Sequence, residues 1–270
     1  MGQIVRTVIL GVVLVALLLP LYIMVVGSFE PLKILLVMPP QLIPFDLTLE
    51  NYQLLLQDTE VMKWTLNTLI VCLGIACGAR FVAATAGYGF AVYRFKGRRL
   101  ALTFLISLIV LPGEVLLVPT FVMLRKIGIA NGFAAAILPK VLSVMGIAMF
   151  KNYIDKIPRG VIESGRIAGA SEWRIMWQLV LPQCKPMFGM IALFYGIAGW
   201  SDFIWQLLTM RKHKTLIVGL ILHMRNLTII YNGVGMMLAV GTILFIPMLL
   251  IFLATNRMFL EKLSLAGVRG

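Results

Sequence analysis

Charged residues are scarce in this sequence of 270 residues, since Asp, Glu, Lys and Arg make up only 13% of it. An average soluble domain has about twice that share. Apolar and aromatic residues make up 60%, and the mean hydropathy is +0.97. A soluble domain of this size still exposes roughly a quarter of its surface and cannot hide so much apolar area. The composition excludes a soluble enzyme, a disordered chain and a nucleic-acid-binding domain, and it predicts an integral membrane protein.

Cysteine is also rare, and several catalytic motifs are missing. The three cysteines are odd in number, and Cys72 and Cys77 lie within an apolar run, so no disulfide framework is indicated. The sequence contains neither the phosphate-loop pattern G-x-x-x-x-G-K-[ST] nor the zinc motif H-E-x-x-H. We therefore predict that the chain is not an enzyme, has no ATP site of its own, and binds no metal or cofactor.

Long apolar runs dominate the rest of the chain. A hydrocarbon core about 30 Å thick requires about 20 apolar residues in a helix, and about six runs meet that length. We predict an all-α, polytopic membrane protein with a single transmembrane domain over residues 1–270. The first run exceeds the core of a cleaved signal peptide, so it is interpreted as a retained helix. The predicted spans are residues 4–26, 64–92, 100–124, 133–150, 187–208 and 234–255.

Cations are distributed unevenly among the loops, and the net charge is +13. Residues 94–99 hold four cations and no acid, and residues 151–185 hold six cations against three acids, whereas residues 28–63 hold two against five. Because cytoplasmic loops are rich in Lys and Arg, we predict that both termini and the two basic loops are cytoplasmic. Four cations conflict with this orientation because they fall in a loop that it places outside; they are Arg211, Lys212, Lys214 and Arg225.

The loop between the fourth and fifth predicted spans, about residues 152–182, is long and has helical periodicity. Ser171 is a suitable N-cap, with Glu172 in the first turn of the helix that follows. Apolar residues then recur at helical spacing on one face. They are Trp173, Met176, Trp177, Val180 and Leu181.

This pattern predicts a hairpin of two short helices around Gly169, with the second helix interrupted by Pro182. An amphipathic hairpin of this kind either rests on the membrane surface or docks a cytoplasmic partner. The residues alone leave both alternatives open. The small residues Ser164, Gly165 and Gly169 slightly favour docking, because they allow another surface to approach the backbone closely.

The loop resembles the EAA loop of binding-protein-dependent ABC importer permeases. That pattern begins Glu-Ala-Ala, has a glycine four residues after the second alanine, and ends in Leu-Pro. The glutamate, the glycine and the closing pair are present here as Glu163, Gly169 and Leu181-Pro182. The two alanines, and the acid that commonly precedes the glycine, are replaced here by Ser164, Gly165 and Ala168.

The likeness extends along nearly the whole chain. Residues 49–52 and 67–71 resemble the family's approach to its second helix, and residues 93–98 resemble its first basic loop. Residues 111–119 look like its third helix, and residues 199–203 are similar to its Trp-Asn-acidic-aromatic step. The ending Leu-Ala-Gly-Val-Arg-Gly resembles that of the carbohydrate-type subfamily, which includes the second permease subunit of the maltose transporter.

The resemblance implies an importer in a bacterial-type inner membrane. Such an importer has two permease subunits, two cytoplasmic ATPase subunits that bind ATP and Mg²⁺, and an extracytoplasmic solute-binding protein. This chain would be one permease subunit, in lipid, paired with a related subunit in a heterodimer and without a nucleic-acid partner. The C-terminal likeness favours a carbohydrate or related solute. A non-sugar solute and a stand-alone secondary transporter are the alternatives.

The resemblance also assigns roles within the hairpin. The residues that would couple the permease to the ATPase are Glu163, Ser164, Gly165, Arg166, Gly169, Ala170 and Ser171. Glu163 would meet the ATPase, and Gly169 would supply the turn. The residues that would anchor the hairpin are Trp173, Trp177 and Pro182.

Four ionisable side chains fall within or near the predicted spans: Arg80, Glu114, Lys140 and Asp202. Such residues are costly in lipid and usually face the interior of the bundle or a cavity. Either they line the solute path, or they form ion pairs within or between subunits, and we favour the ion pairs. In the maltose-type system the sugar is held mainly by the other permease subunit, so no substrate site is predicted here.

Overall fold

The computed structural model describes residues 2–31, 46–57, 59–231 and 233–267, and the side chains of all of these except 227–231 and 254–267. This described part is helical and contains no strand, which confirms the all-α prediction. The helices are α1 (Gly2–Gly27), α2 (Glu50–Leu56), α3 (Val61–Val92), α4 (Arg98–Ser107), α5 (Leu117–Lys126), α6 (Phe133–Ile137), α7 (Val144–Ile154), α8 (Arg159–Ile167), α9 (Glu172–Ser201), α10 (Phe203–Thr209), α11 (Leu216–Tyr231) and α12 (Val234–Gly267).

Contacts divide the chain into two compact units. One unit comprises Met1–Val61 and Leu216–Gly270, and the other comprises Met62–Thr215. The first unit contains α1, α2, α11 and α12, and the second contains almost all of α3 together with α4 to α10. The single transmembrane domain over residues 1–270 stays a prediction.

Several helices are long and apolar enough to cross a bilayer. In the described residues these are α1, α3, α9 and the part of α12 over Val234–Leu253. A fifth span results if the bent pair Phe133–Lys140 and Val144–Ile154, with 45° between its halves, is counted as one. The chain is therefore a multi-pass membrane protein, and the count of six spans stays a prediction.

Two of the predicted spans are interrupted. In the third, α4 is followed by the short turn Leu108–Val110, and residues 111–116 leave the helix before α5 begins. Leu111 has an extended backbone (ψ 119°), as expected before Pro112, whose ring disfavours a helical residue in front of it. In the fifth, Asp202 (ψ 83°) separates α9 from α10. The interruptions place polar backbone and side chains within these predicted spans.

Two segments between predicted spans are helical in the structure. The interruption predicted at Pro182 is a short turn of tighter helix, Leu181–Cys184, through which α9 continues as far as Ser201. A proline is tolerated in such a first turn, where its missing N–H is not required. The loop predicted between the last two spans contains α11, so Arg225 lies in a helix.

Small residues along α3 allow the bent pair α6–α7 to pack closely against it. A Cβ atom placed on Gly74 would lie 2.6 Å from Cδ1 of Ile137, and one placed on Gly87 would lie 2.5 Å from Cβ of Phe150. Buried side chains of α3, α7, α8 and α9 form one cluster on the hairpin side of this contact. Its fully buried members include Ala83, Phe150 and Ile175.

The other unit is held together by contacts of α12 with α1 and α2. Asn51 in α2 is buried, and its side-chain amide donates to the carbonyl oxygens of Ser28 (3.1 Å) and Glu30 (3.0 Å). Gly235 in α12 packs directly on Asn51. A Cβ atom placed on Gly235 would lie 2.6 Å from the side-chain amide nitrogen of Asn51. Most of α1 is exposed and apolar, as expected of a helix that faces lipid or another subunit.

Candidate functional site

The turn of the hairpin is built on Gly169. Its φ of +75° lies in the left-handed region that favours glycine. The amide of Gly169 donates to the carbonyl of Arg166 (3.0 Å), and the amide of Ala170 donates to that of Gly165 (3.0 Å). These two bonds form a Schellman motif, which satisfies the last carbonyls of α8 and ends the helix. The chain therefore reverses at a fixed angle between α8 and α9.

The next helix begins with the N-cap that the sequence predicted. The hydroxyl of Ser171 accepts a hydrogen bond from the backbone N–H of Arg174 (3.4 Å). Glu172 follows in the first turn, where a carboxylate also interacts favourably with the helix dipole.

The Glu172 carboxylate connects both hairpin helices to the end of α3. One oxygen accepts from Nε of Arg166 (2.6 Å), on α8. The other accepts from the phenol hydroxyls of Tyr88 (3.2 Å), in α3, and Tyr93 (2.9 Å), just beyond it. The two tyrosine rings meet edge to face with centroids 6.0 Å apart. These four side chains are called the Glu172 network below.

Two groups of this network have pKa values shifted by their contacts. The pKa of Tyr93 is raised above its usual value near 10.0, first because the phenol is partly buried and then because it donates to the Glu172 carboxylate. The pKa of Arg166 is raised by its hydrogen bond to the same carboxylate. The neutral phenol and the charged guanidinium are thus the forms that the network stabilises.

The buried face of α9 differs from the one that simple helical spacing predicts. Ile175, Met176 and Val180 are buried, whereas Trp173 is 60% exposed. Residues Ile175–Val180 form a π-helical stretch, whose wider turns shift the side-chain register relative to an α-helix. Trp177 is half-buried, with its ring stacked on that of Phe81 at 6.2 Å and tilted against that of Trp173 at 5.6 Å.

The two hairpin helices pack closely at Gly165. A Cβ atom there would lie 2.8 Å from Cδ1 of Leu179 and 3.0 Å from Cγ1 of Ile175. Ile162, one turn earlier on α8, is also buried. The face of α8 with Ile162 and Gly165 therefore packs against α9.

The opposite face of α8 is uncovered. Glu163 and Ser164 are exposed, and Ile167 is 89% exposed, more than any other large apolar side chain that the structure describes. The Glu163 carboxylate has no ion-pair partner in the described part of the chain. An isoleucine and a carboxylate one turn apart thus lie on a fixed, outward-facing helix.

A second candidate region is a cavity of about 580 Å³ in the same unit. Three interruptions between helices line it. They are residues 111–116 between α4 and α5, the end of the short turn Leu138–Lys140 that follows α6, and Asp202 between α9 and α10. Each contributes an ionisable side chain, and these are Glu114, Lys140 and Asp202. The structure thus brings together three of the four ionisable residues singled out from the sequence.

Lys140 and Asp202 form an ion pair within this cavity, with Nζ 2.8 Å from Oδ2. The other oxygen of Asp202 accepts from the backbone N–H of Trp205 (3.2 Å) and caps α10. Nζ of Lys140 lies 5.8 Å from the centre of the Trp205 ring, and the indole N–H donates to the carbonyl of Ala135 (3.2 Å). The pair therefore links the breaks in two different spans.

The remaining two ionisable residues are not paired in this way. Glu114 is exposed at the cavity and forms no ion pair with the described residues. Arg80 lies on α3 outside the cavity lining, and its guanidinium donates to the carbonyl of Ala76 (3.1 Å) and to Sγ of Cys77 (3.0 Å).

The basic loop before α11 contacts the start of α3. The side-chain amide of Asn67 donates to the carbonyl of Lys214 (2.9 Å), and Nζ of Lys214 lies 6.0 Å from the centre of the Trp64 ring. Tyr88 of the Glu172 network is 21 residues further along the same helix, or about 32 Å. The basic loop and the hairpin thus lie at opposite ends of α3.

Comparison with known proteins identifies the family of the chain. Residues 81–264 match the family described as "Binding-protein-dependent transport system inner membrane component". This match covers more than half of the 270 residues. The chain belongs to this family. As a member of it, the chain is a membrane component of a transport system, and the family predicted from the sequence is confirmed.

Relatives of this transport component match it over most of their length. The arabinooligosaccharides transport system permease protein AraQ of Bacillus subtilis (strain 168) is 28% identical over 263 residues, which are 94% of this chain and 91% of that protein. The galactooligosaccharides transport system permease protein GanQ of the same strain is 30% identical over 253 residues, 90% of this chain and 87% of that protein. The sn-glycerol-3-phosphate transport system permease protein UgpE of Brucella suis biovar 1 (strain 1330) is 27% identical, over 78% of each chain.

A solved structure has a similar fold. It is a chain of a bacterial ABC transporter involved in the import of the acidic polysaccharide alginate, with a TM-score of 0.81 and 18% identity over 96% of both chains. At that identity the likeness shows the fold alone. The fold of this transport component is thus that of an ABC importer chain.

Sequence reasoning missed most of the Glu172 network. Glu172 was singled out only as a first-turn acid, and Tyr88 and Tyr93 were not singled out. The sequence feature that points to this network is a pair of tyrosines at the end of an apolar run, beside a basic loop. Their approach to Glu172 depends on how α9 packs on α3, which local periodicity does not specify.

Proposed function

We propose that this chain is a permease subunit of an ATP-binding-cassette importer for a carbohydrate or related solute, powered by separate ATPase subunits and supplied by an extracytoplasmic binding protein. The observation that carries the proposal is the exposed face of α8 within a chain of this family. Relatives named for oligosaccharide transport match nearly the whole chain, and they favour the carbohydrate class.

The hairpin is the surface on which an ATPase subunit would dock. Ile167 has almost its entire side chain exposed, and Glu163 lies one helical turn before it. An exposed apolar side chain next to a free carboxylate is suited to a partner that offers an apolar groove edged by a cation. Because α8 is fixed by the Gly169 turn and by the Glu172 network, a displacement of the docked surface would be transmitted to the helices behind it.

The cavity with Glu114, Lys140 and Asp202 is this subunit's contribution to the solute path. Polar side chains at interrupted helices are typical of the binding regions of transporters, because freed backbone groups are tolerated only beside a cavity. The Lys140–Asp202 pair neutralises two of the three charges. Glu114 is free to accept hydrogen bonds from a solute hydroxyl or from the partner permease.

The orientation that places both termini in the cytoplasm is also a proposal. It rests on the excess of cations in residues 94–99 and 151–185. About 32 Å of α3 matches the thickness of a hydrocarbon core, so the hairpin and the basic loop before α11 would lie on opposite sides of the membrane. With a cysteine-free background, a membrane-impermeant maleimide should label Lys212→Cys in intact cells and should label Glu163→Cys only after permeabilisation. The reverse pattern would invert the topology.

The function is tested by isolating the complex through a tag on this chain and reconstituting it in liposomes. We expect an ATPase to be recovered in fixed stoichiometry, and its activity to rise with a binding protein loaded from a panel of oligosaccharides, polyols, amino acids and phosphate. Ile167→Asp should abolish recovery of the ATPase, whereas Ile167→Leu should not. Gly169→Asp and Glu163→Arg should leave ATP hydrolysis but uncouple it from uptake.

Each alternative predicts a different result. Stimulation by an amino acid or by phosphate alone would keep the importer and replace the carbohydrate class. Uptake by this chain in proteoliposomes with no ATPase present would indicate a secondary transporter and contradict the proposal.

A further inference from the structure

The Glu172 network is unusual because one carboxylate uses both of its oxygens to connect three segments of the chain. Its partners are Arg166 on α8 and the hydroxyls of Tyr88 and Tyr93 at the end of α3. Hydrogen bonds to an ionised group are stronger and more directional than those between neutral groups. A first-turn acid that served only the helix dipole would require neither tyrosine.

The network lies between the close contact of α3 with α7 and the turn of the hairpin. Tyr88 is only 3% exposed, within the cluster that joins α3 to α7. Behind it, Gly87 packs on the backbone of α7, with a would-be Cβ atom 3.1 Å from the amide nitrogen of Lys151. On the other side, Arg166 and Glu172 flank the fixed turn at Gly169.

We propose that Glu172 is a positioning residue for coupling: through Arg166, Tyr88 and Tyr93 it makes the docking helix α8 and the end of α3 move as one body. This inference rests on the proposed function, since the movement is the one that an ATPase would impose. Glu172 does not contact the ATPase face itself, because that face carries Glu163 and Ile167 on the far side of α8. Glu172 instead determines whether a movement of α8 also moves the end of α3.

The test is a distance measurement in the complete complex, with the three native cysteines replaced. Spin labels are placed at Gly160→Cys on α8 and at Gly89→Cys on α3, where nothing lies within 4 Å of an added side chain. The distance between them is measured without nucleotide and after trapping with ATP and vanadate, so no transported solute is required. We expect the two distances to be equal in the otherwise native complex.

The variants separate positioning from folding. Tyr88→Phe with Tyr93→Phe removes only two hydroxyl groups, and Glu172→Gln removes the ion pair. In both we expect ATP hydrolysis to continue, while the label distance shifts by several ångströms on trapping. Arg174→Gln is the matched control, since Arg174 is exposed on the same helix, and we expect it to behave as the native complex. In a Glu172→Ala background, the tyrosine substitutions should have no further effect.

The possible outcomes are distinguishable. The inference is overturned if the label distance changes on trapping in a native complex that hydrolyses ATP. It is also overturned if the distance is the same before and after trapping in the tyrosine and Glu172 variants. In both cases the proposed function stands. If the variants fail to assemble with the ATPase, the network is merely structural and the inference also fails. If the native preparation contains no ATPase at all, the proposed function is overturned, and this inference with it.

Discussion

Gly87 in α3 lies directly against Phe150 in α7, so closely that a Cβ atom on Gly87 would be 2.5 Å from Cβ of Phe150. The same atom would lie 3.1 Å from a backbone nitrogen and 3.2 Å from a backbone carbonyl oxygen. None of these atoms belongs to the flexible end of a side chain. The contact therefore requires glycine and sets the spacing between α3 and the bent pair.

Substitution of Gly87 tests this spacing. We expect Gly87→Ala to lower the stability of the complex by about 1–3 kcal/mol, because α3 and α7 must separate to admit the methyl group. Gly89→Ala is the matched control: nothing lies within 4 Å of it, and alanine favours the helix over glycine. The measurement is thermal unfolding of the purified complex. Equal midpoints for the two variants would contradict the packing.

Gly165 is predicted to respond differently. Its nearest neighbour, Cδ1 of Leu179 at 2.8 Å, is the end of a flexible side chain. We expect Gly165→Ala to be better tolerated than Gly87→Ala, since its contacts with Leu179 and with Cγ1 of Ile175 at 3.0 Å are with side chains and not with backbone, and alanine favours the helix. Gly165→Val should reduce recovery of the ATPase with this chain, because its branches would also meet Ile175 and separate the hairpin helices. Gly160→Val, in the open part of α8, controls for valine in this helix. If Gly165→Val and Gly160→Val recover equal amounts of ATPase, the close contact is not required.

The charges of Lys140 and Asp202 should be energetically coupled. Lys140→Gln and Asp202→Asn should each lower stability by roughly 1–2 kcal/mol, a value kept small because the Lys140 side chain is 43% exposed. Asparagine is a good N-cap, so Asp202→Asn removes the charge and spares the start of α10. The double variant should be more stable than the sum of the single effects predicts, as thermal unfolding would show. Strict additivity would mean that the two charges do not interact.

Much of the fold was predictable because membrane spans depend on local composition. The apolar runs predicted at residues 4–26 and 64–92 correspond to α1 and α3, and Ser171 caps the helix that the sequence indicates. The breaks within the third and fifth predicted spans were not predicted, since a length-and-hydropathy criterion ignores the local effect of Pro112 and the cap made by Asp202. Both breaks exist where side chains converge from distant parts of the chain.

The candidate site was predictable only in part, for a similar reason. The hairpin residues were found from their local pattern, which predicted Ser171 as a cap and a turn at Gly169. With the π-helical stretch, Ile175 lies on the buried face and Trp173 is exposed, and regular α-helical periodicity does not predict this arrangement. The Lys140–Asp202 pair and the Glu172 network join residues far apart in sequence, and such pairings follow from packing.

Tyr93 provides a pH-dependent signal of the Glu172 network. Its pKa is raised above the usual value near 10.0, by burial and by its hydrogen bond to the Glu172 carboxylate. The neutral phenol is the form that donates this bond, so the stabilisation is complete below pH 10 and is lost as the pH rises through the raised pKa. The difference in ultraviolet absorption between the native complex and Tyr93→Phe, followed during alkaline titration, reports this one phenol. We expect it to ionise later than an exposed tyrosine, and earlier in a Glu172→Gln background than in the native one. A phenol that titrates at the same pH with and without the Glu172 carboxylate would show that the two groups are not hydrogen-bonded in the membrane.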